Sequence, residues 1–292
     1  MKILSRLSTL LLASAMLAGP ALSAELRIGL QDDADVLDPA QSRTFVGRIV
    51  YTAMCDKLVD VSPDLKIVPQ LATEWAWSAD GKELTMKLRE GVKFHDDTPF
   101  NAAAVVATIE RNKTLPESRR KSELSSVEKV EATGDYAVKF TLKTPDVTLL
   151  AQLSDRAGMI VSPKAAAELG ANFGSKPVCA GPFKFVERIQ QDRIVLEKFA
   201  DYWDKDKVFI DKVTYLPIPD TTVRLANLRS GELDMIERLA ATDATSVKAD
   251  ESLTYADVVN IGYMALYVNI PNGARADNPF GKDKRLRQAF SL

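Results

Sequence analysis

Few side chains in this sequence could perform acid–base or metal chemistry. The chain contains one histidine, His95, which lies in the polar turn His95–Thr98. The simplest interpretation is a ring hydrogen-bonded to nearby backbone, with a catalytic or metal-binding role as the alternative. Four aspartates between positions 32 and 38 suggest calcium, but their spacing does not match an EF-hand loop and turn formation explains them more simply. We therefore expect no metal site and no cofactor.

Motifs for covalent or nucleotide chemistry are also missing from the sequence. It contains no Gly-x-Ser-x-Gly elbow, no Walker loop and no His-Glu-x-x-His helix. The 38 Lys and Arg residues are balanced by 40 Asp and Glu residues, which gives a formal net charge of −2. That balance lacks the basic excess that nucleic-acid binding requires. The sequence therefore disfavours an enzyme and a nucleic-acid partner, and it favours the binding of a solute.

The two cysteines, Cys55 and Cys179, allow one disulfide in an oxidising compartment. They are too few and too far apart in the sequence for a zinc motif. The alternative is a pair of buried thiols, because a free cysteine packs as a small apolar residue.

Residues 1–24 have the composition of a cleaved secretion signal. Two basic residues precede the apolar run Leu7–Leu17, which is too short to span a bilayer as a stable helix. A Gly-Pro pair ends the run and small residues follow, so we expect cleavage after Ser23 or Ala24. No cysteine stands at this point to carry a lipoprotein anchor. The mature protein is predicted to be soluble and exported.

Hydrophobic periodicity places strands and helices alternately along the rest of the chain. Period-two alternation and short apolar runs predict strands over Glu25–Leu30, Glu74–Ser78, Glu83–Leu88, Val127–Glu131, Ala137–Leu142, Phe183–Ile189, Arg193–Phe199, Lys212–Ile218 and Leu233–Ile236. Helical spacing predicts helices within Thr44–Val59 and over Asn101–Asn112, Thr148–Leu153, Pro163–Leu169 and Thr221–Ser230. This interleaving, without a repeat or a low-complexity linker, predicts a mixed α/β or α+β protein of two lobes.

The most distinctive stretch is Leu84–Phe100, with the sequence LTMKLREGVKFHDDTPF. It predicts a strand, a tight turn at Glu90-Gly91, a second short strand Val92–Phe94, a polar turn and the start of a helix. The block resembles the signature of the periplasmic solute-binding proteins of peptide and nickel ABC importers, solute-binding family 5, whose usual form is LREGVKFHDGTPF. Asp97 stands where that family mostly has Gly, and we expect it to strain the turn because Asp tolerates positive φ less well than Gly.

The resemblance extends over nearly the whole mature chain. The other segments that carry it are LDPA at 37–40, IVPQLATEW at 67–75, AGMIVSPKAA at 157–166, CAGPFKFVE at 179–187, DRIVLEKFADYW at 192–203, PIPDTTVRLANLRSGELD at 217–234, VNI at 268–270 and RLRQAF at 285–290. Each segment alone is weak, and their number, order and spacing together indicate the family. Cys179 replaces the Thr or Ser that commonly precedes Gly-Pro in the family, which makes a disulfide with Cys55 worth proposing.

The resemblance implies an α/β (mixed α+β), periplasmic binding protein-like fold of class II type, with two lobes and a hinge. It implies a discontinuous lobe I over 25–48 and 178–270, an inserted lobe II over 49–177, and the start of a C-terminal lobe over 271–292. Members of the family are longer, so we expect the C-terminal lobe to be missing, either from a truncated gene product or from a partial sequence. The last predicted element, an amphipathic helix that begins at Lys284, ends without a cap.

In this family the ligand lies between lobes, where backbone groups bind its amides and charged side chains bind its termini. At a position matching Arg43, an oligopeptide-binding relative can carry an acidic residue, so the resemblance implies that Arg43 suits a carboxylate rather than a free amino terminus. Arg156 lies in a region where nickel-binding relatives use an arginine to hold carboxylates. The alternative for Arg43 is a solvated surface side chain.

Four further residues complete the predicted ligand-binding set. Glu237 and Arg238 follow a strand at its C-terminal end, where the crevices of open sheets collect ligands; alternatively, they pair with each other on the surface. Tyr263 would supply an apolar or stacking wall, with core packing as the alternative. Arg119 lies where the second lobe can overhang the cleft, with a solvated charge as the alternative.

These implications predict the periplasmic solute-binding component of an ABC import system. It would capture a peptide or similar small polar solute by hinge closure, without catalysis, and deliver it to an inner-membrane permease. We expect a monomer. The alternatives are a secreted hydrolase, which the single histidine disfavours, a sensor or chaperone-like protein on the same scaffold, and a non-functional truncated fragment.

Overall fold

The computed structural model describes residues 23–258, 265–270 and 272–291. Its strands are β1 (Glu25–Leu30), β2 (Val59–Val61), β3 (Ile67–Pro69), β4 (Ala72–Trp77), β5 (Glu83–Leu88), β6 (Val127–Gly134), β7 (Ala137–Leu142), β8 (Phe183–Ile189), β9 (Arg193–Lys198), β10 (Lys212–Pro217) and β11 (Met235–Ile236). Its α-helices are α1 (Phe45–Met54), α2 (Ala102–Thr114), α3 (Leu149–Leu153), α4 (Pro163–Leu169), α5 (Thr221–Arg229), α6 (Ala244–Lys248), α7 (Pro279–Lys282) and α8 (Lys284–Phe290).

The chain divides into two compact units, with the division after Ala240. The first unit contains all three sheets, and the second contains α6, α7, α8 and short 3₁₀ turns. Within the second unit, the rings of Phe280 and Phe290 meet edge to face, with centroids 5.6 Å apart. The predicted lobe boundaries stay a prediction, and the predicted signal segment lies almost wholly outside the described residues.

The larger sheet has five strands in the order β11-β1-β10-β9-β8. β1 runs parallel to β10 and to β11, whereas β9 is antiparallel to β10 and β8. Apolar residues of this sheet pack against α1, whose buried face includes Val50, Tyr51 and Met54. Thr44 is the N-cap of α1, and its Oγ1 accepts a hydrogen bond from the Gly47 N–H at 3.1 Å.

The second sheet is antiparallel, in the order β4-β5-β7-β6, and has its own apolar core beneath α2. β5 spans Glu83–Leu88 as predicted, and its inward side chains alternate with exposed ones. Asn101 is the N-cap of α2, since its side chain accepts a hydrogen bond from the Ala104 N–H at 3.0 Å. A two-stranded ladder of β2 and β3 completes the sheets that the structure describes.

The predicted second strand of the Leu84–Phe100 stretch, Val92–Phe94, is wrong. The chain makes one isolated bridge there, between Lys93 and Pro99, because it reverses direction within a few residues. The Phe94 N–H donates to the Thr98 carbonyl at 2.9 Å, which closes the turn before a strand can extend. Asp97 sits inside this turn at a φ of 63°, the left-handed conformation in which the family's Gly would be unstrained.

His95 lies half-buried between this turn and the segment around Cys179. Its Nε2–H donates to the Gly181 carbonyl at 3.0 Å, and its Nδ1 accepts from the Cys179 N–H at 3.4 Å. Both ring nitrogens are therefore satisfied only in the neutral state. Burial lowers the pKa of His95 to about 4, although the Gly181 carbonyl opposes this shift.

The low pKa of His95 makes stability depend on pH. Between about pH 4 and 6.5 the unfolded chain binds a proton at this residue that the folded protein does not bind, so stability falls as the pH falls through that window. The loss is about 1.4 kcal/mol per pH unit and about 3 kcal/mol in all. We expect urea unfolding to show wild type gaining this amount of stability relative to His95→Gln as the pH rises from 4 to 7.

The comparison with the variant is needed because another buried group titrates in the opposite sense. Burial raises the pKa of Asp56 to about 7, against the opposing hydrogen bonds from Trp203 Nε1 at 2.7 Å and from the Tyr202 hydroxyl. Its contribution favours the fold at low pH and is common to both proteins, so it cancels in the difference. Parallel pH curves for the two proteins would contradict the assignment of His95.

Candidate functional site

The three parallel strands of the larger sheet end at one edge. β1 pairs with β10 from Glu25–Lys212 to Leu30–Pro217, and with β11 through Ile28–Met235 and Gly29–Ile236. The carboxyl ends of these strands therefore lie side by side, and β1 has a parallel neighbour on each side. Such an edge forms a crevice in which open α/β sheets bind ligands. The loop 31–44, the segment 218–220 and the turn 237–238 leave the sheet here.

Asp35 organises the far end of the loop 31–44. Its carboxylate accepts hydrogen bonds from the Ser42 hydroxyl at 2.8 Å, the Arg43 N–H at 2.7 Å and the Thr44 hydroxyl at 3.0 Å. Burial raises the pKa of Asp35, but these donors lower it by more, so the pKa lies below its usual value. The backbone of Arg43 is thus fixed while its side chain is exposed.

The guanidinium groups of two neighbouring arginines converge on the carbonyls that flank Arg43. Arg156 Nη1 lies 3.4 Å from the Ser42 carbonyl oxygen and 3.3 Å from that of Thr44. Arg120, which is 5% exposed, donates from Nη2 to the same Ser42 carbonyl at 3.0 Å and pairs with Glu123. The structure therefore brings Arg156 beside Arg43, although the two are far apart in the sequence.

Arg119 lies next to the same loop. Its N–H donates to the Ala40 carbonyl at 2.8 Å, and its side chain is exposed. Among the residues that the structure describes, no carboxylate pairs with the side chain of Arg119 or of Arg43. Both charges are therefore available to an anion.

Glu237 and Arg238 form the turn after β11. The Glu237 N–H donates to the Gly29 carbonyl at 2.9 Å, and one carboxylate oxygen lies 3.2 Å from Arg238 Nε. The other oxygen, Oε2, is buried without a hydrogen-bond partner. Arg238 adopts a φ of 57°, and its guanidinium carbon lies 6.0 Å from the centre of the Phe45 ring. Tyr263, the remaining predicted residue, lies outside the described residues.

The sequence analysis missed two side chains of this region. Phe45 is 52% exposed although it is a large apolar residue at the first position of α1, and it falls outside the buried stripe of that helix. Arg224 is 1% exposed within α5, where the sequence pattern indicates an ordinary helical charge. The off-stripe position of Phe45 is a signal that could have been used, whereas nothing in the sequence indicates the burial of Arg224.

Two cavities place this region in context. One of about 310 Å³ is lined by Phe45, Arg48 and Asp155 among others, and so opens beside the Arg156 segment. A larger cavity of about 470 Å³ lies between α2 and α4 and is mostly apolar, and none of the predicted ligand-binding residues lines it.

In the described part of the chain no group of three or more metal-ligating side chains is arranged to hold a metal ion. The described helices also include none long and apolar enough to cross a bilayer.

The crevice edge carries charges of both signs. Arg43 and Arg119 are exposed and have no carboxylate partner among the described residues, whereas Arg238 pairs with Glu237. Three exposed carboxylates, those of Asp32, Asp35 and Asp220, lie on the same loop and segment. Asp155 is occupied by Arg48, whose Nε lies 2.9 Å from its carboxylate. The unpaired arginines of this edge suit the carboxylate groups of a solute, because guanidinium and carboxylate form paired, charge-assisted hydrogen bonds.

A crevice at the carboxyl ends of parallel strands, lined by polar side chains, is where an open α/β sheet binds a ligand. Residues 66–292 match the family described as bacterial extracellular solute-binding proteins, family 5 Middle. The chain belongs to this family, whose members bind solutes.

Curated relatives agree with the family assignment. The chain is 31% identical over 290 residues to the glutathione-binding protein GsiB of Pectobacterium atrosepticum. This match covers 95% of this chain and 56% of that protein. It is 30% identical over 289 residues to the protein of the same name from Escherichia coli, covering 98% and 55%. The chain thus spans about half the length of the curated relatives it matches.

Solved structures show the same fold. The binding protein AgaA from A. tumefacien R10, in complex with agropinic acid, is 35% identical with a TM-score of 0.74, over 78% of this chain and 46% of that one. The periplasmic binding protein DppA from Helicobacter pylori, in complex with the peptide STSA, is 29% identical with a TM-score of 0.72, over 78% and 50%. The predicted periplasmic binding protein-like α/β fold is therefore confirmed.

Proposed function

We propose that this chain is the solute-binding part of an ABC importer in the periplasm, and that it binds a small peptide-like solute bearing carboxylates. The observation that carries the proposal is the cluster of arginines at the C-terminal edge of the parallel strands, with Arg43 and Arg119 unpaired among the described residues. The protein works without catalysis, as a monomer, and hands the solute to an inner-membrane permease.

The relatives support a solute of this charge. Two of them are named for binding glutathione, and another was solved with agropinic acid. Glutathione carries two carboxylates and one ammonium group, so it offers two partners for guanidinium groups. Hydrogen bonds to charged groups contribute about 1.5–3 kcal/mol each, which is sufficient for one arginine to change affinity by tenfold or more.

We expect glutathione to bind saturably, with one site per chain, in a calorimetric titration. Replacing Arg43 by Gln should weaken binding by about tenfold or more, because the carboxylate would lose a charge-assisted hydrogen bond. Arg193→Gln is the control: Arg193 is an arginine on β9 that pairs with Glu187 at 2.8 Å, and its replacement should leave affinity unchanged.

The proposal fails if purified protein shows neither binding heat nor a ligand-dependent thermal shift with glutathione, acidic dipeptides and a metal–amino acid chelate. Binding that Arg43→Gln leaves unchanged would retain a solute-binding function but place the solute elsewhere. Hydrolysis of a peptide by the protein, abolished by a point substitution, would instead favour an enzyme.

A further inference from the structure

Arg224 is the largest fully buried side chain in the described part of the chain, with 1% of its surface exposed. It projects from α5 across β1, and the close approach requires a glycine at position 29. A Cβ at Gly29 would lie 3.0 Å from Arg224 Cγ and 2.7 Å from a methyl of Leu233. The packing of the sheet therefore accommodates this one long side chain.

The hydrogen-bond partners of Arg224 are backbone carbonyls. Its guanidinium donates to the carbonyl oxygens of Ile218, of Pro219 at 3.3 Å and of Arg238 at 2.8 Å. No carboxylate accepts a hydrogen bond from it among the described residues. These carbonyls belong to the segments that follow β10 and β11. One side chain therefore links the two segments at the crevice edge.

A buried guanidinium without a hydrogen-bonded carboxylate carries a desolvation penalty that an apolar side chain of similar length would avoid. What the guanidinium provides instead is a rigid fork of donors that fixes several acceptors at once. One of those acceptors is Arg238, whose backbone has a left-handed φ of 57° that is unfavourable for a residue with a side chain. Arg224 Nη2 donates to the carbonyl of this same residue at 2.8 Å.

We propose that Arg224 is a positioning residue for the solute site: it holds the Glu237-Arg238 turn in its left-handed conformation and so directs the Arg238 side chain toward Phe45. The proposal rests on the proposed function, because the turn is expected to contact the solute. Arg224 acts through the backbone of Arg238 and needs no contact with the solute. Its positive charge also lies beneath the crevice, where it adds to the attraction for an anion.

The first test needs no ligand. Amide hydrogen exchange should be measured in wild type, Arg224→Met and Arg224→Lys, with the Glu237 N–H as the reporter, since it donates to Gly29. We expect Arg224→Met to speed exchange at Glu237 by about tenfold or more relative to the Asp234 N–H, which donates to Arg27 on the same strand pair. Arg224→Lys should restore part of the protection, because it retains a buried donor.

A matched control lies at the other end of β1 and β11. Arg27 bonds to Asp234 through Nε at 3.0 Å and Nη2 at 2.9 Å, so Arg27→Met should affect exchange near Asp234 and leave Glu237 protected. Expressing exchange at Glu237 relative to Asp234 removes any general loss of stability. Equal changes at both amides in Arg224→Met would overturn the positioning role.

The second test is a double-mutant cycle on glutathione affinity. Arg224→Lys alone and Arg238→Ala alone should each weaken binding by about fivefold, and the double variant should be no weaker than Arg238→Ala, because Arg224 acts through Arg238. Additive losses would overturn the proposal. If glutathione does not bind wild type, the proposed function fails for that solute, and hydrogen exchange alone decides whether Arg224 positions the turn.

Discussion

Removing the Cys55–Cys179 disulfide is expected to lower the free energy of unfolding by about 4–5 kcal/mol. The bond joins residues 124 apart in the sequence, and in the chain-entropy account a cross-link over so long a loop strongly restricts the unfolded chain. Its position adds to the effect, because Cys55 follows α1 and Cys179 lies in a segment bridged to Val161. The double variant Cys55→Ala/Cys179→Ala should show the loss in urea unfolding.

Reduced wild-type protein is the control for the loss of sulfur packing. Both cysteines are 1% exposed, so the alanine variant also leaves small voids that the reduced protein does not have. If loss of the cross-link, and not loss of sulfur packing, causes most of the destabilisation, the reduced wild type and the double variant should unfold at similar urea concentrations. Both concentrations should be well below that at which the oxidised protein unfolds. A loss under about 1 kcal/mol in both would show that the unfolded chain is already restricted.

Breaking the ion pair between Asp38 and Arg111 is expected to cost about 3–5 kcal/mol. Asp38 is 0% exposed and accepts hydrogen bonds from Arg111 Nη1 at 3.1 Å and Nη2 at 2.6 Å. It also accepts from the Ala40 N–H at 2.9 Å, so the carboxylate anchors the loop that carries Arg43. Arg111→Met leaves this carboxylate buried without a countercharge, and urea unfolding should record the loss.

Two further variants test whether the cost of breaking the pair comes from the buried, unpaired charge. Asp38→Asn combined with Arg111→Met removes both charges, so it should recover part of the stability lost in Arg111→Met alone. Lys87→Met breaks the pair with Glu74, whose side chains are 62% and 72% exposed, and should cost no more than about 1 kcal/mol. Equal effects of Arg111→Met and Lys87→Met would contradict the importance of burial.

The elements of the fold could largely be predicted from the sequence. β5 at Glu83–Leu88 and α4 at Pro163–Leu169 have their predicted bounds, because alternating burial and a Ser-Pro helix start are local properties of the chain. The predicted strand Val92–Phe94 was wrong because periodicity over three residues cannot distinguish a strand from the side of a turn. The left-handed conformation at Asp97, in contrast, could be anticipated from its residue type and position.

Less of the candidate site than of the fold could be predicted from the sequence. Motif position identified Arg43, Arg156 and the Glu237-Arg238 pair as residues to examine, yet their role in binding a solute stays a prediction. Their convergence around one loop depends on the carbonyls of Ser42 and Thr44 and on the ring of Phe45. No local pattern encodes such contacts, because they join residues more than a hundred positions apart.

The sequence by itself determined the family, the order of the elements and the absence of recognisable catalytic motifs, since each depends on residue type and on short spacings. Only the tertiary structure decided which charges are available to a solute and which are used within the protein. Arg43 and Arg224 look alike as letters in the sequence, but one is exposed at the crevice edge and the other is buried against three carbonyls. Burial and partners arise from the packing of distant segments, and they give the same side chain different chemistry.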